Sequence, residues 1–116
     1  DNSNVIYTEL NGYKFMFMGD AGVDKEKDIL EKYSLENIDF FKVGHHGSNT
    51  SSSIEFVSKI NPKYSLISVG KDNKYGHPKS SVLDNLSSSN IYRTDLDGSI
   101  EIKLNKNGYN IRTYNP

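Results

Sequence analysis

Phe40-Phe41-Lys42-Val43-Gly44-His45-His46-Gly47-Ser48-Asn49-Thr50-Ser51-Ser52-Ser53 is the stretch on which the reading of this chain turns. An apolar, strand-like run ends in a glycine, two adjacent histidines, a second glycine and a ladder of hydroxyls. The chain has three histidines, and two of them stand here side by side. A buried strand that ends in a short glycine-rich loop holds reacting groups firmly and still lets them reach solvent. The first expectation is a metal or phosphate site at the carboxyl end of such a strand. A polar strand-to-helix turn with two exposed histidines is the plainer reading of the same residues.

Working outward, Val5–Leu10 and Tyr13–Met18 flank Asn11-Gly12, the strongest short signal for a hairpin with a type I′ turn. The second run leads into Gly19-Asp20-Ala21-Gly22. A carboxylate just after a buried strand suits a metal ligand, or else the cap of the next helix. Asp24–Tyr33 reads as a surface helix with Asp24 as N-cap, and its Lys and Glu residues as a solvated face. Ile38–Val43 reads as a buried strand. One of Ser51, Ser52 and Ser53 then caps a helix whose apolar face is Ile54, Val57 and Ile60, with Phe56 beside it, and Asn61-Pro62 stops it.

Tyr64–Val69 is the next strand, again ending in a glycine, Gly70. The loop that follows holds Tyr75-Gly76-His77-Pro78 and with it the third histidine. A helix beginning at Ser80 or Ser81 runs through Val82, Leu83 and Leu86, and Ile91–Thr94 forms a strand. Asp95–Gly98 turns. Ser99–Leu104 alternates as a half-buried edge strand, and Asn107-Gly108 turns it into Tyr109–Tyr114. The fold class expected from this order is mixed α/β, layered in the α+β manner, with a mixed sheet and helices on one face.

The chain is 116 residues long, enough for one small domain and one core, here residues 1–116. Only 34% of the residues are hydrophobic, which suggests either a thin sheet-and-helix layer or a piece whose missing partner completes the core. The short helices, which leave one sheet face with few apolar residues to cover it, are a second hint of a missing half. A formal net charge of −1 argues against a whole-domain basic field for nucleic acid. The absence of cysteine excludes disulfides, thiolate metal sites and cysteine nucleophiles. No apolar run approaches the roughly 20 residues of a membrane span. The first residues carry no leader pattern, and Asp1 is no initiator, so the chain is expected to be a segment of something larger.

Three strand-end loops carry the candidate chemistry: Gly19-Asp20, Gly44–Ser48, and Gly76-His77-Pro78. An aspartate with several histidines in one cleft suits zinc, manganese or iron, and a pair of such metals suits in-line attack on a phosphodiester. Hydroxyls at Ser48, Thr50 and Ser51, with glycine amides, are suited to phosphate oxygens. A serine nucleophile is disfavoured, because Ser48 lies too close to the histidines in sequence and G-x-S-x-G is absent. No Gly-Lys-Ser or Gly-Lys-Thr ending marks a phosphate-binding P-loop.

Phe17–Ala21, Lys42–Ser51, Leu66–Gly70, Tyr75–Pro78 and Tyr92–Gly98 together resemble, in order and spacing, the metallo-β-lactamase-fold domain of the ComEC/Rec2 DNA-internalisation competence proteins. The resemblance runs from the first strand to the last. It implies the carboxyl-terminal half of an αββα sandwich, with a dinuclear metal site at the sheet edge between two halves. It implies Asp20 as the bridging carboxylate and His46 as a terminal ligand. His45 is then beside the substrate, and His77 contacts or protonates it, or is itself the ligand. Ser48 and Thr50 then either support the metal ligands from behind or contact phosphate.

The superfamily's His-x-His-x-Asp-His motif is absent from this sequence. The complete domain would hold two divalent ions, zinc or manganese, while this half is expected to hold metal weakly or not at all and to be inactive alone. The implied activity is that of a phosphodiesterase or nuclease serving DNA uptake. A small phosphoester hydrolase of the phosphorylcholine-esterase kind, or a scaffold or DNA-contacting module without metal, are the alternatives. Implied partners are DNA or another phosphodiester, the missing amino-terminal half, a second copy through the exposed face, and a membrane channel portion. The implied location is a surface-facing domain of a bacterial membrane protein, or a secreted or cytoplasmic stand-alone relative.

Overall fold

In the computed structural model, residues 5–19, 23–43, 53–69 and 78–114 are described. The strands β1 (Ile6–Leu10) and β2 (Tyr13–Phe17) form the antiparallel hairpin that Asn11-Gly12 predicts. Asn11 and Gly12 have φ of +52° and +83°, both positive as a type I′ turn requires. The helix α1 (Val23–Lys32) then leads to β3 (Phe40–Lys42), α2 (Ile54–Ile60) to β4 (Tyr64–Ile67), and α3 (Ser80–Asn85) to β5 (Asn90–Arg93). The sheet order is β1-β2-β3-β4-β5, with β2, β3, β4 and β5 mutually parallel. The single-turn α4 (Thr94–Asp97) precedes a second, two-stranded sheet of β6 (Ser99–Asn105) and β7 (Gly108–Tyr114). The mixed α/β, layered class read from the sequence holds.

The period-2 alternation of the strands sorts the residues between two faces. Met16, Met18, Phe41, Val43, Ile67 and Val69 face the helices, where they join Ile29, Phe56, Val57, Ile60, Val82 and Leu86 in one buried cluster. Each fully buried aliphatic or aromatic side chain there contributes about 1.5–3 kcal/mol. Tyr13, Phe15, Phe40 and Tyr64 lie on the opposite face. Phe40 stacks on Phe15 at 4.7 Å and on Tyr64 at 5.4 Å between ring centroids. From β7, Tyr109 meets Tyr13, Phe40 and Tyr64 edge-on at 5.1, 5.1 and 5.6 Å. The second hairpin is therefore the lid of the aromatic face, not an extension of the main sheet.

Coverage stops short of the outer strands. Ile6, Leu10 and Phe17 share that face by register and are 55%, 50% and 40% exposed.

Several boundaries differ from the sequence reading. Ile38 belongs to no ladder because its N–H donates to Ile60 C=O and its C=O accepts from Lys63 N–H, so β3 is shorter than Ile38–Val43. Asp24 is not the cap of α1 but lies in its first turn, where an acid still favours the helix dipole. Ile54 is 59% exposed, and Phe56 takes the inward place. Three-residue steps drift about 60° each on a helix of 3.6 residues per turn, so Ile54 and Ile60 cannot share one narrow stripe. Ser53 is the N-cap of α2, and Asn61 ends that helix in the left-handed region at φ +44°.

Candidate functional site

The parallel register places three strand ends side by side. Met18 N–H donates to Lys42 C=O at 3.3 Å, and Val43 N–H to Leu66 C=O at 2.9 Å, so β2, β3 and β4 finish at one level. Met18 and Val43 are fully buried and Val69 nearly so. From this edge the chain runs on through Gly19 into residues 20–22, through Val43 into 44–52, and through Val69 into 70–77. Asp20, His45, His46, Ser48, Thr50 and His77 fall in those three segments and lie outside the described residues. The carboxyl edge of adjacent parallel strands is where open α/β sheets bind ligands.

The described residues around this edge are held by side chains whose roles lay beyond local pattern. The Thr94 hydroxyl accepts from Val69 N–H and donates to Val69 C=O, each at 2.8 Å. Arg93 makes a two-pronged pair with Asp95, Nε to Oδ1 at 3.0 Å and a terminal nitrogen to Oδ2 at 2.7 Å. That guanidinium holds the Asp95 carboxyl below its ordinary range. Asp97 accepts from Arg93 N–H at 2.8 Å. Both acids of the Asp95–Gly98 stretch are thus occupied in shaping α4, the single helical turn that stands where a plain turn was expected.

Glu26 corrects the reading of α1 as a helix with a wholly solvated charged face. It is 1% exposed, and its Oε1 accepts from both Ser53 N–H and Ser53 Oγ–H at 3.0 Å. Partners 27 residues apart leave no local signal. Among the described residues no group of three or more His, Asp or Glu gathers to hold a metal. The donor types available in the three segments, imidazole and carboxylate, fit zinc or manganese in kind. The three segments carry His45, His46 and His77 together with Asp20 and Asp72.

At the opposite end of the sheet, the Tyr64 and Tyr109 hydroxyls are hydrogen-bonded at 2.9 Å, with the Lys63 ammonium 5.8 and 5.6 Å from the two ring centres. Hydrogen bonding with Tyr64 and Lys63 lowers the Tyr109 pKa, and the same Tyr109 contact raises those of Tyr64 and Lys63. This cluster fastens the β6–β7 hairpin.

The chain is 33% identical over its full length to ComE operon protein 3 of Bacillus subtilis. It is 34% identical over 91% of its length to competence protein ComA of Neisseria gonorrhoeae, and 32% over 90% to recombination protein 2 of Haemophilus influenzae. It spans only 15%, 16% and 14% of those proteins' own lengths. No family model matches the chain. The chain is thus similar, nearly end to end, to one segment of competence proteins of this kind.

Proposed function

We propose that this chain is the carboxyl-terminal half of a metal-dependent hydrolase domain of the metallo-β-lactamase type, acting on phosphodiesters during competence DNA uptake. The observation that carries the reading is the convergence of three strand ends, each leading within the sequence to one of the candidate groups. Similarity to competence proteins over the whole chain supports the setting. In this reading the intact protein adds a membrane channel portion and the domain faces the cell surface. No helix among the described residues is long and apolar enough to cross a membrane.

Asp20 and His46 would hold metal together with donors of the amino-terminal half. When bound, the metal supplies a water activated for attack at neutral pH. His45 or His77 gives a proton to the leaving oxygen, and the hydroxyls of Ser48 and Thr50 hold phosphate oxygens. Ile6, Leu10 and Phe17, exposed beside the aromatic face, are the surface the amino-terminal half would cover.

Elemental analysis after dialysis against zinc or manganese tests the reading, on this chain and on His46→Ala. Near-stoichiometric metal that disappears in the variant supports it. Equal metal in both removes His46 from the ligand set. No metal in either means that this half does not hold the site by itself, and the same pair is then measured in the intact protein, where absence of metal ends the proposal.

A further inference from the structure

We infer that β1 is a self-complementary sheet edge through which two copies of this chain pair, β1 against β1, about a two-fold axis at Thr8. The direction of the β1 backbone groups follows from β2. Asp39 N–H donates to Lys14 C=O at 3.0 Å and Met18 N–H to Lys42 C=O at 3.3 Å, so Lys14, Met16 and Met18 turn their backbone groups toward β3. Alternation turns those of Tyr13, Phe15 and Phe17 toward β1, where their register partners are Leu10, Thr8 and Ile6. Tyr7 and Glu9 therefore aim their N–H and C=O outward, at an edge that no strand covers among the described residues. A proline or a lysine commonly blunts such an edge, and Ile6–Leu10 has neither.

The order of residues along this edge fits a second copy. Antiparallel pairing about Thr8 sets Tyr7 opposite Glu9 of the second copy, and both are outward-aimed, so the two exchange both backbone bonds. Symmetry repeats the exchange on the other side of the axis. Ile6 meets Leu10 of the second copy in the closer, non-hydrogen-bonded kind of pair, and both are half exposed in the single chain. Moving the axis to Glu9 would set two carboxylates face to face, and moving it to Tyr7 would take the apolar partner from Leu10.

Charge favours the same register. Tyr7 lines a groove with Lys25, Asp28 and Lys32 of α1, and among the described residues neither lysine forms an ion pair. Glu9 forms none there either, since the ammonium of Lys14 opposite it bonds Glu36 C=O at 3.1 Å. Pairing brings the Glu9 carboxylate of the second copy beside Tyr7, next to a groove that holds two lysines and one aspartate. The face of Ile6, Leu10 and Phe17 stays open for another partner.

The chain has no cysteine, so a single introduced thiol reports the register. At the axis the two Thr8 positions form a non-hydrogen-bonded pair with Cα atoms about 4.5 Å apart, within disulfide reach. The two Ile6 positions, and likewise the two Leu10 positions, lie about 14 Å apart, beyond it. In glutathione buffer, Thr8→Cys is expected to form disulfide dimers at least tenfold faster than Ile6→Cys or Leu10→Cys alone. A mixture of Ile6→Cys and Leu10→Cys is expected to form the mixed dimer. A short edge makes a small, weak interface, so sedimentation equilibrium of the unaltered chain should show reversible dimers at high micromolar concentration. Thr8→Lys, which sets two ammonium groups at the axis, should weaken them at least tenfold, and Phe17→Ser should change them little. Thr8→Cys nearly keeps the side-chain volume, so the cross-linking result stands even where Thr8→Lys fails to fold.

The inference is overturned if the chain stays monomeric up to its solubility limit, as an edge kept for a strand of a longer chain would leave it. It is overturned equally if Thr8→Cys cross-links no faster than Ile6→Cys. Dimers that persist in Thr8→Lys and vanish in Phe17→Ser place the contact on the aromatic face and also end it.

Discussion

The Thr94 hydroxyl bridges both backbone groups of Val69, accepting from its N–H and donating to its C=O at 2.8 Å each. Val69 lies beyond the last residue of β4 and is nearly buried, so it would otherwise find no ladder partner at that point. Thr94→Val keeps the shape and removes both bonds, leaving a sequestered N–H and C=O. The expected loss is about 1–3 kcal/mol in urea unfolding. Thr94→Ser, which keeps the hydroxyl, should stay within about 1 kcal/mol of wild type. Equal losses for the two variants would mean that the methyl group, not the hydroxyl, holds Val69.

Tyr109 is the residue through which the β6–β7 hairpin grips the main sheet, with three edge-on ring contacts and the hydroxyl bond to Tyr64. Tyr109→Phe loses only the hydroxyl, with its hydrogen bonding to Tyr64 and Lys63, and should cost about 0.5–1.5 kcal/mol per bond lost. Tyr109→Ala removes the aromatic body as well and should cost about 3 kcal/mol or more. Amide exchange separates local from global effects. In Tyr109→Ala the amides of β6 and β7 should exchange faster than those of β3 and β4, and uniform acceleration would show that the hairpin and sheet open as one unit.

The order of elements was legible because each strand carries its own signal. Asn11-Gly12 and Asn107-Gly108 mark the hairpins, and Phe40-Phe41 and Leu66-Ile67 mark buried parallel strands. The segments worth attention were legible for the same reason, since each follows a strand and ends in residues with few structural uses. What pattern could not supply was pairing at a distance. Glu26 looks like one more charge on a surface helix until α2 brings Ser53 to it. Thr94 looks like the end of a strand until its hydroxyl closes on Val69, 25 residues earlier. Ile54 points outward because three-residue spacing does not hold one helix face, and Phe56 fills the inward position.

Phe40 and Phe17 share one sheet face and differ in what covers them. Phe40 is 1% exposed beneath Tyr109, and Phe17 is 40% exposed at the uncovered side. Phe40→Ala should cost about 3–5 kcal/mol through lost burial and the cavity left behind. Phe17→Ser should cost clearly less than Phe40→Ala in this chain, because a large part of the Phe17 ring is open to solvent. In the intact protein, the proposed amino-terminal half would cover Phe17 and raise the cost of Phe17→Ser well above that. The same small cost in both settings would argue against that half covering this surface.

The Arg93–Asp95 pair sets an acid-side dependence of stability. Hydrogen bonding from the Arg93 guanidinium, with Coulombic attraction after it, lowers the folded-state pKa of Asp95 below its ordinary value near 3.8. A carboxyl with a depressed folded pKa stabilises the fold while it is ionised. Its contribution is complete above about pH 5, fades as pH falls through 3.8, and is gone below the folded value. Arg93 is partly open to solvent, so screening keeps the contribution under about 1 kcal/mol. Asp95→Asn should therefore be slightly less stable than wild type at pH 7, with the gap closing as pH falls from 3.8 through the folded value, by urea unfolding at constant ionic strength. Added salt at pH 7 should narrow the gap. A difference that persists unchanged into acid would assign the effect to the shape of α4 and not to the charge on Asp95.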